Sequence, residues 1–271
     1  MNKSKIEWCD YTWNPVTGCL HGCPYCYAER IAKRFAPLEY ECGNCRICPD
    51  CPGKTNGKEC PEFRAYMKSN KLHILENKQY YFYPKKRYIA FPYGFEPTLH
   101  RYRMQEPENI KGPATIFVCS MADLFGAWIP DEWILEVFKV CAKYKQHRYM
   151  FLTKNPGRYK ELAEAGLLPT DDNMFYGTTI TDDETDFFFS DKHKTFLSIE
   201  PIQREFSERK LPPPVDWVII GQETGNRKDK IIADAGWIEK IYNVCHSAGI
   251  PVFMKDNLSG IVENLRQESA T

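Results

Sequence analysis

Thr115-Ile116-Phe117-Val118-Cys119 is an unbroken apolar run that stops at Ser120-Met121-Ala122-Asp123. β-Branched and aromatic residues favour an extended chain. A run with no polar alternation reads as a strand buried on both faces. The pattern recurs downstream at residues 149–153, 173–178, 195–199, 216–221 and 251–254. Helical patterns stand between several of these runs. One begins at 130–141 with Pro130 near its start, one covers 156–167, and one covers 235–248 and is closed by Gly249. Such a succession predicts an α/β fold with a parallel sheet covered by helices, closed into a full or partial barrel.

On such folds, sites gather at the C-terminal ends of the strands. The residues just past the runs are Ser120 and Asp123, Lys154, Thr178 and Thr179, Glu200, Gln222 and Glu223, and Lys255 and Asp256. An exposed strand end is often polar for solubility alone, so no single one of these marks a site. Convergence of many on one rim would.

Upstream, residues 11–16 read as an extended segment leading into Gly18-Cys19-Leu20-His21-Gly22-Cys23-Pro24-Tyr25-Cys26-Tyr27. Three cysteines at C-x3-C-x2-C spacing in a Gly- and Pro-containing loop can wrap three thiolates around a compact metal centre. Thiolates are the usual ligands of iron–sulfur clusters, and three leave a four-iron cluster with one open position. A structural zinc site is the alternative, although zinc sites more often use C-x2-C pairs. Residues 27–35 then read as a helix, which puts the loop at a helix N-terminus, where the dipole favours an anionic cluster.

A second group, Cys42, Cys45, Cys48, Cys51 and Cys60, lies in a polar insertion over 38–62. The insertion has too few apolar residues for a core of its own, and a metal would supply the missing stabilisation. Its C-x2-C-x2-C-x2-C-P run is one residue shorter than the bacterial ferredoxin run. It reads as a second, auxiliary 4Fe–4S cluster, with zinc as the alternative and with Cys51 and Cys60 as rivals for the last ligand. Cys9, Cys119, Cys141 and Cys245 are scattered and read as small buried hydrophobes.

The chain has 271 residues with 36 Lys+Arg against 36 Asp+Glu, so no global positive field advertises nucleic-acid binding. No apolar run reaches the length of a membrane span, and residues 1–8 lack a signal-peptide core. Of the twelve cysteines, the clustered ones without a secretion signal read as metal sites, and a reduced cytoplasm is the expected compartment. One domain over 1–271 is expected, with 38–62 as an insertion. Residues 80–88 interleave tyrosines with Lys85, Lys86 and Arg87, followed by His100, Arg101 and Arg103. That mixture suits a stacked base or an ordinary amphipathic hairpin.

Cys19, Cys23 and Cys26, with Tyr25 at the aromatic position, resemble the cluster loop of the radical S-adenosylmethionine superfamily. More closely, the chain resembles a phage-associated family of radical SAM-like proteins of unassigned function. The matching pieces are residues 12–19, 120–125, 152–156, 198–201, 221–225 and 248–255. Gly221-Gln222-Glu223-Thr224-Gly225 departs from the family's Gly-Gly-Glu-Ser-Gly, and the cysteine-rich insertion lies outside the pattern. There is a looser likeness to spore photoproduct lyase.

The resemblance implies a partial (β/α)6 barrel of TIM type and a 4Fe–4S cluster on the three loop cysteines. It implies that S-adenosylmethionine is cleaved to a 5′-deoxyadenosyl radical, which takes hydrogen from a substrate. Tyr25, Ser120, Asp123, Thr178 and Glu200 would bind S-adenosylmethionine: Asp123 at the methionine ammonium, Thr178 with Thr179 at the ribose, Glu200 near the adenosine. An electron donor such as flavodoxin or ferredoxin would be a partner, and no membrane would be involved. The expected substrate is a nucleobase, as a nucleoside or in nucleic acid. The alternatives are peptide modification and a non-catalytic, zinc-stabilised nucleic-acid-binding module.

Overall fold

The computed structural model describes residues 1–36, 72–81, 87–207, 213–225 and 227–270. Cys42, Cys45, Cys48, Cys51 and Cys60, and with them the expected second cluster, lie outside the described residues.

Chain order gives β1 (Asn2–Lys3), β2 (Tyr11–Trp13), β3 (Val16–Thr17) and α1 (Tyr27–Phe35). Four short strands follow: β4 (His73–Leu75), β5 (Gln79–Tyr81), β6 (Arg87–Ile89) and β7 (Thr98–His100). The regular part runs β8 (Thr115–Val118), α2 (Asp131–Lys143), β9 (Arg148–Thr153), α3 (Pro156–Glu164), β10 (Met174–Ile180), β11 (Lys194–Ile199), β12 (Trp217–Ile220), α4 (Ala235–Ser247) and β13 (Val252–Met254).

One sheet carries the architecture, in the order β1-β2-β8-β9-β10-β11-β12-β13. Only β1 pairs antiparallel; from β2 to β13 every pairing is parallel, each strand beside the next. All seven residues of β10 and all four of β12 are buried, as strands covered on both faces must be. Among the described residues no pairing joins β13 to β1 or β2, so the sheet they form is open.

It is also strongly curled. In a flat sheet β8 and β12 would stand about 19 Å apart, four spacings of about 4.8 Å. Yet Phe117 of β8 and Trp217 of β12 both lie against the indole of Trp8, with ring centroids at 4.8 and 6.2 Å. The concave face holds one aromatic cluster around Trp8, including Met150, Phe175, Phe196, Ile219 and Phe253. Gly177 lies under the Phe196 ring, where a Cβ would come within 2.2 Å of ring carbon. The convex face packs on α2, α3 and α4 through two further clusters.

The helices follow from their sequences. Trp133, Ile134, Val137, Phe138 and Cys141 form the buried stripe of α2, behind Pro130 at the cap. Asp234 caps α4 through Gly236 N. Strict strand–helix alternation fails between β10 and β11, where residues 181–193 form no helix. There Phe188 seals the convex face instead, 5.3 Å from the ring of Tyr159. Among the described residues no helix is long and apolar enough to cross a membrane.

A three-stranded sheet, β3-β7-β4, packs beside the entrance to the cysteine loop. The described part of the 80–88 stretch lies in β5 and β6, which pair antiparallel. The nearby cations are taken up by the fold: Arg103 donates to the Tyr88 hydroxyl (2.7 Å) and to Asn14 O (2.9 Å), and Arg101 bridges Glu76 and Glu136. His100 is fully buried.

Candidate cofactor cavity at the cysteine loop

Two backbone attachments hold the cysteine loop over the strand ends. Gly18 N donates to Met121 O at 2.9 Å, and Cys19 N to Phe95 O at 3.1 Å. Gly18 has φ +88°, and a Cβ there would fall 2.2 Å from Glu96 O, so only glycine fits. Cys26 is the N-cap of α1, its Sγ accepting from Glu29 N at 3.3 Å. The loop therefore ends on the positive pole of a helix, as its sequence predicts.

Behind the loop lies a cavity of about 380 Å³. Cys19, Cys23, Cys26 and Tyr25 line one side. Ser120, Asp123, Lys154, Thr179, Glu200, Gln222, Glu223 and Lys255 line the others, so almost every polar strand end marked in the sequence meets here. Asp256 does not: its carboxylate is exposed and accepts from Gln267.

Thr178 is a correction. It is fully buried and faces the convex side, where its Oγ1 accepts from Phe188 N at 3.2 Å. Side chains alternate across a strand. Phe175 and Gly177 lie on the concave face, so Thr179 joins them and reaches the cavity.

Asp123 lines the cavity but spends its oxygens on the protein. Oδ1 accepts from Phe125 N (3.0 Å) and Thr153 Oγ1 (2.8 Å). Oδ2 accepts from Lys154 N (2.9 Å) and meets His21 Nε2 at 2.7 Å. His21 sits between Cys19 and Cys23, its ring edge against Trp128. Nothing in the spacing of the sequence had singled out His21.

Ser120 is placed by Asn14, whose Oδ1 accepts from Ser120 Oγ (3.2 Å) and Met121 N (2.9 Å). The Tyr27 hydroxyl donates to Ser120 O at 2.7 Å. Glu200 is ion-paired with Lys255, Oε1 to Nζ at 2.5 Å, across the cavity wall from β11 to β13. Ser198 also lines the cavity, next to Thr179 in the β10–β11 register. It was missed because one hydroxyl inside an apolar run carries no signal until the concave face is known.

Burial pushes the Cys19 thiol up to about 12, with the neighbouring Asp123 and the other two thiols adding to the rise. Burial raises Cys23 too, opposed by Lys154. Lys154 is itself lowered by burial, while Cys23, Asp123 and Glu200 pull the other way. Its Nζ stands 5.4 Å above the Tyr25 ring. Three thiols and a nearby cation in one cavity suit an anionic, thiolate-ligated group, which displaces the thiol protons as it binds.

Among the described residues, no three His, Cys, Asp or Glu side chains stand close enough to hold a single metal ion. In kind and number the donors fit an iron–sulfur cluster: three cysteine thiols line one cavity, and they would hold it as thiolates.

The family described as "Protein of unknown function (DUF5131)" matches residues 3–48 and 51–267. The chain belongs to this family. The match covers all three loop cysteines and also Cys42, Cys45, Cys48, Cys51 and Cys60 of the insertion, breaking at Pro49 and Asp50 between them. No curated protein and no solved structure matches the chain.

Proposed function

We propose that this protein is a radical S-adenosylmethionine enzyme acting on a nucleobase, and that its curled open sheet is the partial (β/α)6 barrel such enzymes use. The observation that carries the reading is the single cavity lined by Cys19, Cys23 and Cys26 together with polar residues from the ends of β8 to β13. Parallel-sheet folds place their sites at those ends.

Cys19, Cys23 and Cys26 would hold the 4Fe–4S cluster. The chemistry it supplies when bound is one-electron cleavage of S-adenosylmethionine to methionine and a 5′-deoxyadenosyl radical, which takes a hydrogen atom from the substrate. Ser120, Thr179, Glu200 and Tyr25 would orient S-adenosylmethionine within the cavity. The Trp8 cluster closes the concave side below it and keeps bulk water from that direction. Lys154 offsets the negative charge gathered by the thiolates. The insertion cysteines would hold the auxiliary cluster, and a reduced flavodoxin or ferredoxin would supply electrons.

The test is metal and sulfide analysis of anaerobically purified protein, with an assay for 5′-deoxyadenosine. About eight irons per chain are expected for two clusters and about four for one. Cys23→Ala should abolish cleavage. Zinc alone after anaerobic reconstitution with iron and sulfide, or wild-type cleavage by Cys23→Ala, would overturn the assignment.

A further inference from the structure

We infer that the mouth of the cavity carries a phosphate site, built by Arg30, Arg227 and Lys230, for a nucleotide whose base enters the cavity. The inference rests on the nucleobase reading above and names the form in which that substrate arrives.

The site is organised around Glu223 and Gly225, just past β12. Glu223 is 6% exposed and lines the cavity. Arg227 grips its carboxylate with two bonds of 2.8 Å. Lys230 Nζ donates to Gly225 O at 3.3 Å. Arg30, one turn into α1 from the cap Cys26, lays its guanidinium over Gly225, where a Cβ would stand 3.1 Å from Nη1. Gly225 has φ +94°, so the chain there both requires glycine and leaves room for the cation. Arg227, Lys230 and Arg30 together hold the Glu223 carboxyl below its usual range.

Three cations thus converge on one buried carboxylate, with Asp229 acting on Arg227 as the second acid. Arg227 is satisfied by Glu223 and Lys230 by a carbonyl. Arg30 forms no close ion pair among the described residues and acts on Glu223 only at longer range, while its neighbour Glu29 is engaged by Lys33 at 2.7 Å. Three cations against two acids leave a local surplus of positive charge that an anion relieves. A guanidinium fork beside an ammonium matches the several oxygens of a phosphate. Thr224 and Glu223 join this rim to the cavity wall, so a phosphate held here would sit outside while the group attached to it reaches in. The chain's zero net charge confines the attraction to this patch.

The test is calorimetric titration of the full, anaerobically purified chain with the four deoxynucleosides, their 5′-monophosphates, a single-stranded oligonucleotide and a Glu-rich peptide. A monophosphate should bind roughly tenfold or more tightly than its nucleoside at low salt. Added salt should shrink the gap. Arg30→Gln and Lys230→Gln should each narrow it while leaving nucleoside affinity and iron content unchanged. Lys160→Gln, on the exposed face of α3, should change nothing. An oligonucleotide that outcompetes the monophosphate identifies a strand as the source of the phosphate; equal binding identifies the free nucleotide.

Equal affinity for nucleoside and monophosphate, no measurable binding of the monophosphate, or a preference for the peptide would overturn the site. So would loss of nucleoside binding in both glutamine variants, which would mark a structural role. Iron content and 5′-deoxyadenosine formation are read on the same samples. A phosphate preference in protein that never loads iron would leave this site standing and sink the radical reading; iron and cleavage with no phosphate preference would do the reverse.

Discussion

His21 Nε2 and Asp123 Oδ2 stand 2.7 Å apart across 102 residues of chain, tying the cysteine loop to the end of β8. Because the same carboxylate also accepts from Thr153 Oγ1 and Lys154 N, it joins β8, β9 and the loop at one point. Removing it strands several buried donors. Asp123→Ala is expected to cost roughly 2–3 kcal/mol of stability, and both Asp123→Ala and His21→Ala should load less iron. Denaturant unfolding and iron analysis check this. If Asp123→Asn keeps wild-type stability and iron yet loses affinity for S-adenosylmethionine, Asp123 is a ligand for methionine as the family resemblance implies, and the anchoring account fails.

Cys26 has two separable duties, since its sulfur caps α1 and would also ligate iron. A serine keeps a capping oxygen but removes the thiolate, the usual ligand of a cluster loop. Cys26→Ser should keep the stability of the iron-free protein, and Cys26→Ala should lose roughly 0.5–1 kcal/mol of it. Both should lose about four irons per chain after anaerobic reconstitution. Wild-type iron in both variants would remove Cys26 from the ligand set.

Thr178 and Thr179 are neighbours with opposite expected effects. Thr179 lines the cavity and its hydroxyl has no protein partner among the described residues. Thr179→Val should weaken S-adenosylmethionine binding roughly threefold to tenfold with little change in stability. Thr178→Val deprives Phe188 N of its acceptor. It should lower stability by about 1 kcal/mol and leave binding alone. Equilibrium binding and thermal unfolding of the two variants, side by side, decide it.

His100 makes stability pH-dependent. It is fully buried, with Nε2 2.8 Å from Thr17 Oγ1 and Nδ1 3.1 Å from the Tyr102 hydroxyl. Burial, with Arg103 adding, lowers its pKa to about 2. In the unfolded chain a histidine titrates near 6.5. Unfolding therefore takes up a proton below about pH 6.5. The stabilisation is complete above that value and falls as pH drops toward 2, by at most about 1.4 kcal/mol per pH unit. Denaturant unfolding at pH 7.5, 6 and 5 should show His100→Gln with about one proton less of slope; equal slopes would clear His100.

The core strands and much of the cavity lining are legible in local pattern. Apolar runs at 115–119, 149–153 and 216–221 have no surface on which to sit except a covered parallel sheet, and each became a strand of one. The spacing of Cys19, Cys23 and Cys26 marked the loop. Polar residues after apolar runs marked Ser120, Asp123, Lys154, Glu200 and Lys255, because a strand's C-terminal end leaves the core at a definable residue.

Which face of each strand is concave is a property of the whole sheet and is absent from any local pattern. Period-two alternation says that Thr178 and Thr179 point oppositely, not which one points at the cavity. That depends on the curl around Trp8, which draws Phe117 and Trp217 together from strands far apart in the sheet. His21 against Asp123, Ser198 beside Thr179, and Arg30 over Gly225 are likewise contacts between distant segments. No local pattern encodes them, since each exists only after β2, β8 and β12 have taken their places around one concave core.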